Sequence, residues 1–147
     1  MPPAASTPPP QPLTDQDIEA IERATLDAVA PPAVEQLDRW LLPFDSSTIG
    51  RAISAVPLSH DERDATVVRA IAARYAARGM AAAFRVADVP GLAGVRAELA
   101  RLGYRAQQAT LVQVGSVASM LELGAAPPAE VRDTAEAAWA APFLTAG

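Results

Sequence analysis

The chain is 147 residues long, with a formal net charge of -5, no cysteine and one histidine. That length suits one domain around a single core, and the negative balance disfavours nucleic acid, whose phosphates need a basic face. Absent thiols exclude disulfides, thiol nucleophiles and thiolate metal sites; all twelve basic residues are arginine, which excludes Schiff-base chemistry and a P-loop lysine. A lone His60 argues against a histidine metal centre, so no metal is expected.

Residues 1–13 hold six of the fourteen prolines. They lack the basic and apolar regions of a signal peptide and read as a disordered or polyproline-like tail. No apolar run is long enough to span a bilayer, so no membrane partner is expected and the cytoplasm is the default location.

Thr14 and Asp17 form a weak version of a capping box ahead of an amphipathic helix with Ile18, Ile21, Thr25 and Val29 on one stripe. Asp15, Asp17 and Glu19 place negative charge where the helix dipole favours it, and Pro31-Pro32 stops the helix. Within residues 34–44, Trp40, Leu42 and Phe44 alternate onto one face, the mark of a strand. Turn residues 45–50 then lead to a second short strand over residues 51–56, and the pair reads as a hairpin with a long loop. Ser59 and Glu62 make an S-x-x-E box opening a helix in which Val67, Val68, Ile71 and Tyr75 share a face, with Gly79 as its terminator.

Phe84 and Val86 alternate in a short strand. Asp88 reads as the cap of the next helix, Pro90 as its start, Leu92, Val95, Leu99 and Leu102 as its stripe, and Gly103 as its end. Residues 104–114 are the longest strand candidate, and residues 117–123 suggest a short helix. Strands alternating with helices argue for an α/β layer with some parallel pairing.

The strings Trp40-Leu41-Leu42-Pro43-Phe44, Gly50-Arg51-Ala52, Pro57-Leu58, Tyr75-Ala76-Ala77-Arg78-Gly79, Phe84-Arg85-Val86 and Leu99-Ala100-Arg101-Leu102-Gly103-Tyr104, in this order and spacing, resemble one lobe of a GNAT-superfamily N-acetyltransferase. The likeness covers roughly residues 15–120, and it is to the N-terminal half of bacterial tandem-GNAT proteins. The resemblance implies an α/β GNAT-like lobe, with a mixed central sheet (an antiparallel hairpin plus parallel strands) flanked by helices. It implies a lobe over residues 14–123, followed over residues 124–147 by a linker and what resembles the start of a second lobe, where Trp139 and Phe143 lie.

Two departures from the family pattern matter. GNAT enzymes hold the acetyl-CoA pyrophosphate on a glycine-bearing loop at a helix N-terminus; the matching residues 58–65 contain no glycine, and carry Asp61, Glu62 and Asp64 instead. The family's tyrosine general acid, four residues before a glycine, falls on Leu99. The expectation is therefore a non-catalytic lobe that binds no cofactor itself and packs against a second GNAT lobe, in cis or as a homodimer. The alternative is an active acetyl-CoA-dependent N-acetyltransferase with a divergent loop, acting on small amines or protein amino groups. On that alternative Tyr104 is the candidate acid and Ser59, His60 and Arg63 are the candidate cofactor contacts. A third reading is an α/β binding module that uses the Pro-rich tail for recognition.

Each candidate also has a plain structural reading. Tyr104 packs under a helix as a strand-start aromatic, and His60 is a solvated cap residue. Arg85, alternating with Phe84 and Val86, meets an anion or carboxylate or lies at an edge, while Arg51 pairs with Asp45 or reaches a partner lobe. Tyr75 is core, Trp40 is core or a lobe-lobe contact, and Glu35, Asp38 and Asp45 are solvated.

Overall fold

The computed structural model describes residues 12–61, 64–122, 133–134, 136–138 and 141. The chain divides into two units, Met1–Gln107 and Gln108–Gly147. Helix α1 spans Asp15–Val29. Its capping box is complete: the Thr14 hydroxyl accepts from the Asp17 N–H, and the Asp17 carboxylate accepts from the Thr14 N–H at 2.9 Å. The Thr14 hydroxyl also donates to that carboxylate at 2.6 Å, and this bond first, then that of the Thr14 N–H, holds the Asp17 carboxyl below its usual range.

Strands β1 (Ala33–Leu37) and β2 (Trp40–Phe44) form an antiparallel hairpin whose last pair is Leu37 with Trp40. The turn is therefore Asp38-Arg39, with Asp38 at φ +50°, a left-handed position that an aspartate tolerates. This corrects the expectation of one strand over residues 34–44. Glu35 is likewise not simply solvated, because it pairs with Arg78 and stands 3.9 Å from Arg74. Asp45 accepts from the Ser47 N–H at 3.0 Å, an Asx turn.

A single helical turn, α2 (Gly50–Ile53), occupies the first half of the expected second strand. The strand proper, β3, is Ser54–Pro57. The Ser54 hydroxyl donates to the Gly50 carbonyl at 2.7 Å, so the side chain closes the turn just before the ladder begins. β3 pairs antiparallel with β2 and parallel with β4 (Ala83–Phe84), giving the order β1-β2-β3-β4. The mixed sheet flanked by helices is the α/β lobe that the sequence predicts.

Helix α3 (Val67–Ala76) crosses between the parallel strands, and a 3-10 turn (Pro90–Leu92) runs into α4 (Ala93–Arg101). Both helices end in the same way. The Met80 N–H returns to the Tyr75 carbonyl and the Gly79 N–H to that of Ala76, while Tyr104 returns to Leu99 and Gly103 to Ala100. These are Schellman closures, and Gly79 (φ +68°) and Gly103 (φ +88°) supply the left-handed step.

Alternation on β2 divides the core between the two faces of the sheet. Trp40, Leu42 and Phe44, with Ala55, meet Val67, Val68, Ile71 and Tyr75 of α3 and Leu92, Val95 and Leu99 around α4. On the other face Leu41, Val56 and Leu58 meet Leu26 of α1. Tyr75 is fully buried beside Phe44, and its hydroxyl donates to the Pro43 carbonyl at 2.8 Å. Burial pushes this phenol well above its ordinary pKa, so it is a structural donor rather than an acid.

Three further expectations are corrected. Asp88 does not cap α4; it pairs with Arg96 at 3.1 Å, and the Arg96 guanidinium also donates to the carbonyls of Ala87 and Val89. That clasp fixes the loop from β4 to the 3-10 turn. Leu102 is exposed, because the closure at Gly103 turns the chain before another core position is reached. Residues 104–114 form no strand; in the second unit α5 (Val117–Leu121) is a short helix capped by Ser116, without buried residues.

Two outcomes follow from these contacts. Tyr75→Phe leaves the buried Pro43 carbonyl without its donor and should lower stability in urea unfolding by about 1–3 kcal/mol without changing the fold. Glu98 accepts from Arg101 on both oxygens and from Arg69 at 2.9 Å, and these bonds, Arg101's first, pull its carboxyl from 4.5 down to about 2. A depressed carboxyl stabilises above its unfolded value, and that contribution fades as pH falls from about 4.5 to about 2. Thermal unfolding across that window should show wild type losing its advantage over Glu98→Gln.

Candidate functional site

In open α/β sheets ligands bind beyond the carboxyl ends of the parallel strands. Here that place is the connection from β3 to α3 together with the loop after β4. Leu58 continues the sheet with an N–H bond to the Arg39 carbonyl at 2.7 Å. The buried Ser59 follows; its hydroxyl donates to the Asp15 carboxylate and accepts from the Asp61 N–H, both at 3.1 Å. The same Asp15 oxygen takes Arg39 at 3.2 Å. The first turn of α1 is thereby tied to the connection, and both functions of the Ser59 hydroxyl are engaged within the chain.

His60 brings the connection against the loop after β4. A Cβ on Gly91 would stand 2.0 Å from the His60 carbonyl oxygen and 3.1 Å from the Asp61 Cα. The two backbones touch, and only glycine fits. Glu62 and Arg63 lie outside the described residues. α3 begins at Val67 rather than at the Ser59 box, and its N-cap position, Thr66, makes no side-chain cap bond. Instead the Asp64 carboxylate accepts from the Thr66 N–H at 2.9 Å and from the Thr66 hydroxyl at 2.5 Å. The hydroxyl's bond, then the backbone's, holds the Asp64 carboxyl below its ordinary value. The anion-favouring end of α3 thus carries an anion from its own chain.

Tyr104 stands apart from this group. Its ring meets Phe84 edge-on at 5.1 Å, and Phe84 meets Trp40 edge-on at 6.2 Å, a short aromatic series running along the sheet. His60 touches the start of the 3-10 turn, while Tyr104 closes the far end of α4. The nine residues of α4, about 14 Å of helix, lie between those ends. Ser59 and His60 come together, and Tyr104 does not join them. Leu99, at the family's acid position, is buried in the core and its carbonyl accepts from Tyr104.

The sequence did not single out Glu22. It stands on α1 with its carboxylate 2.7 Å from the Arg85 guanidinium, without hydrogen-bond geometry. Burial pulls the Arg85 pKa down, Glu22 raises it, and neighbouring Arg51 lowers it further. The carboxylate contact anticipated for Arg85 is therefore intramolecular, and the clue was the position of Glu22 between Ile21 and Thr25 on the buried side of α1. A shallow depression of about 250 Å³ lies between α1 and the hairpin, lined by Arg23, Leu26, Asp27, Val34 and Leu41. None of Ser59, His60 or Tyr104 borders it. Among the described residues no group of three or more acidic or histidine side chains could hold a metal, and no helix is long and apolar enough to cross a membrane.

The Gly91 contact can be tested by substitution. Gly91→Ala forces two backbones apart and should cost about 1–3 kcal/mol, with faster amide exchange at residues 59–61. An alanine variant as stable as wild type would show that the loops are not in contact.

A family model described as "Probable histone acetyltransferase Rv0428c C-terminal" matches residues 15–145. No curated protein and no solved structure matches the chain. The match runs from the first residue of α1 through the whole sheet and beyond, so it covers every element that builds the candidate site. On that coverage the chain belongs to the family of the C-terminal part of Rv0428c, an acetyltransferase-like family.

Proposed function

We propose that this chain is a non-catalytic GNAT-like lobe that binds no coenzyme itself and packs against, or completes, an active acetyltransferase lobe, supplied in cis or by a second copy. The observation that carries the reading is the β3–α3 connection. A coenzyme pyrophosphate needs bare amides at a helix start and room for its oxygens. This connection offers the Asp64 carboxylate on the Thr66 N–H, an engaged Ser59 hydroxyl, and a His60 carbonyl covered by Gly91. Those groups do not fit a coenzyme pyrophosphate.

The absence of a proton donor at Leu99 supports the same reading, because an acetyl transfer leaves a thiolate that must be protonated. Tyr104, the alternative donor, has its ring packed on Phe84 at the other end of α4. The family's name favours the second reading, an active acetyl-CoA-dependent N-acetyltransferase, and its word "C-terminal" does not point to the N-terminal half of a tandem protein.

Isothermal titration of the full chain with acetyl-CoA separates the two. The lobe reading predicts no heat of binding. Saturable binding at roughly micromolar concentration, the low end of common enzyme KM values, would establish the enzyme reading instead.

A further inference from the structure

We propose that residues 109–114 form a strand exchanged between two copies of this chain, each adding to the β4 edge of the other. The inference rests on the lobe-pairing part of the reading above and names the surface that a second copy uses. The first observation is an open edge. The Arg85 N–H donates to the Ala55 carbonyl at 2.8 Å, so main-chain groups at Ala83 and Arg85 serve β3. By alternation those of Phe84 and Val86 face the other side, where the sheet order ends. A sheet edge presenting free N–H and C=O groups is a template for a further strand.

The second observation is a strand without a ladder. Residues 109–114 alternate Thr110, Val112 and Val114 against Ala109, Leu111 and Gln113, carry no charge and no proline, and form no strand within the chain. Leu111 is 81% exposed, and Val112, Val114, Val117, Met120 and Leu121 are exposed as well. These six side chains present on the order of 500 Å² of apolar surface per copy, so a symmetric pair covers on the order of 1,000 Å², the threshold of a specific interface.

The third observation is the joint. Gln108 has φ +52° and is the first residue of the second unit. A non-glycine residue in that region is a strained hinge, and short strained hinges favour exchange between copies.

The test uses the full chain, with light scattering at micromolar concentration and amide exchange as paired readouts. Wild type should show twice the chain mass, with residues 109–114, Phe84 and Val86 protected. Val112→Pro removes one ladder N–H from an exposed position and should give the monomer mass with those amides unprotected, while the far-UV spectrum and unfolding midpoint of the lobe stay unchanged. Val112→Asp with Val114→Asp should do the same through charge. A monomeric wild type overturns the proposal, whether or not residues 109–114 are protected, and so does a dimer that survives both variants. Coenzyme titration answers separately: a dimer that binds acetyl-CoA would sink the non-catalytic reading and leave the exchange standing.

Discussion

Backbone contact between Gly91 and the His60 carbonyl sets the character of this lobe. The space outside the carboxyl ends of the strands is where open α/β sheets place their ligands. Here the loops after β3 and β4 meet with no side chain between them. Arg96 reinforces the arrangement from α4 by donating to Ala87 and Val89. On the opposite side Asp15 holds Ser59. Three elements that are distant in sequence thus converge to close one end of the sheet.

Closing that end changes the electrostatics of α3. A helix start exposes N–H groups that want an anion. An enzyme that grips a phosphate leaves them open and uses glycine to let the ligand approach. This chain instead supplies the carboxylate of Asp64, three residues before Val67, to the Thr66 N–H. The need for an anion at that turn is met locally. Of the surface ion pairs, Arg69 with Glu98 links α3 to α4, while Arg101 with Glu98 lies within α4; exposed pairs of this kind add modestly to stability. Stability resides in the two apolar faces of β2 and in the Tyr75–Pro43 bond beneath them.

Much of the fold was legible because period and capping chemistry agreed. The alternation of Trp40, Leu42 and Phe44 separates the two halves of the core correctly, and Val67, Val68, Ile71 and Tyr75 are all buried as one helix face requires. Gly79 and Gly103 end their helices with the positive φ that their positions suggested. The β1–β2 turn was hidden because Asp38-Arg39 lacks the glycine or asparagine that usually marks a two-residue turn. The start of α3 was misplaced because Ser59 matches a capping pattern, yet its hydroxyl is drawn to Asp15, 44 residues away. A local motif lost to a tertiary bond. Residues 104–114 carry a strand pattern without a strand, since a ladder needs a partner as well as a period. The contacts that matter most at the candidate site, Gly91 on His60 and Glu22 at Arg85, join residues far apart in sequence that no spacing rule connects.

The central claim is that the β3–α3 connection is completed by the chain's own groups and has no place for a coenzyme. Amide chemical shifts of the isotopically labelled full chain, followed while coenzyme A is added in excess, test it residue by residue. The account predicts that the amides of Ser59, Asp61, Thr66, Val67 and Gly91 stay where they are. Saturable shifts confined to those amides would place a nucleotide against the turn and contradict it.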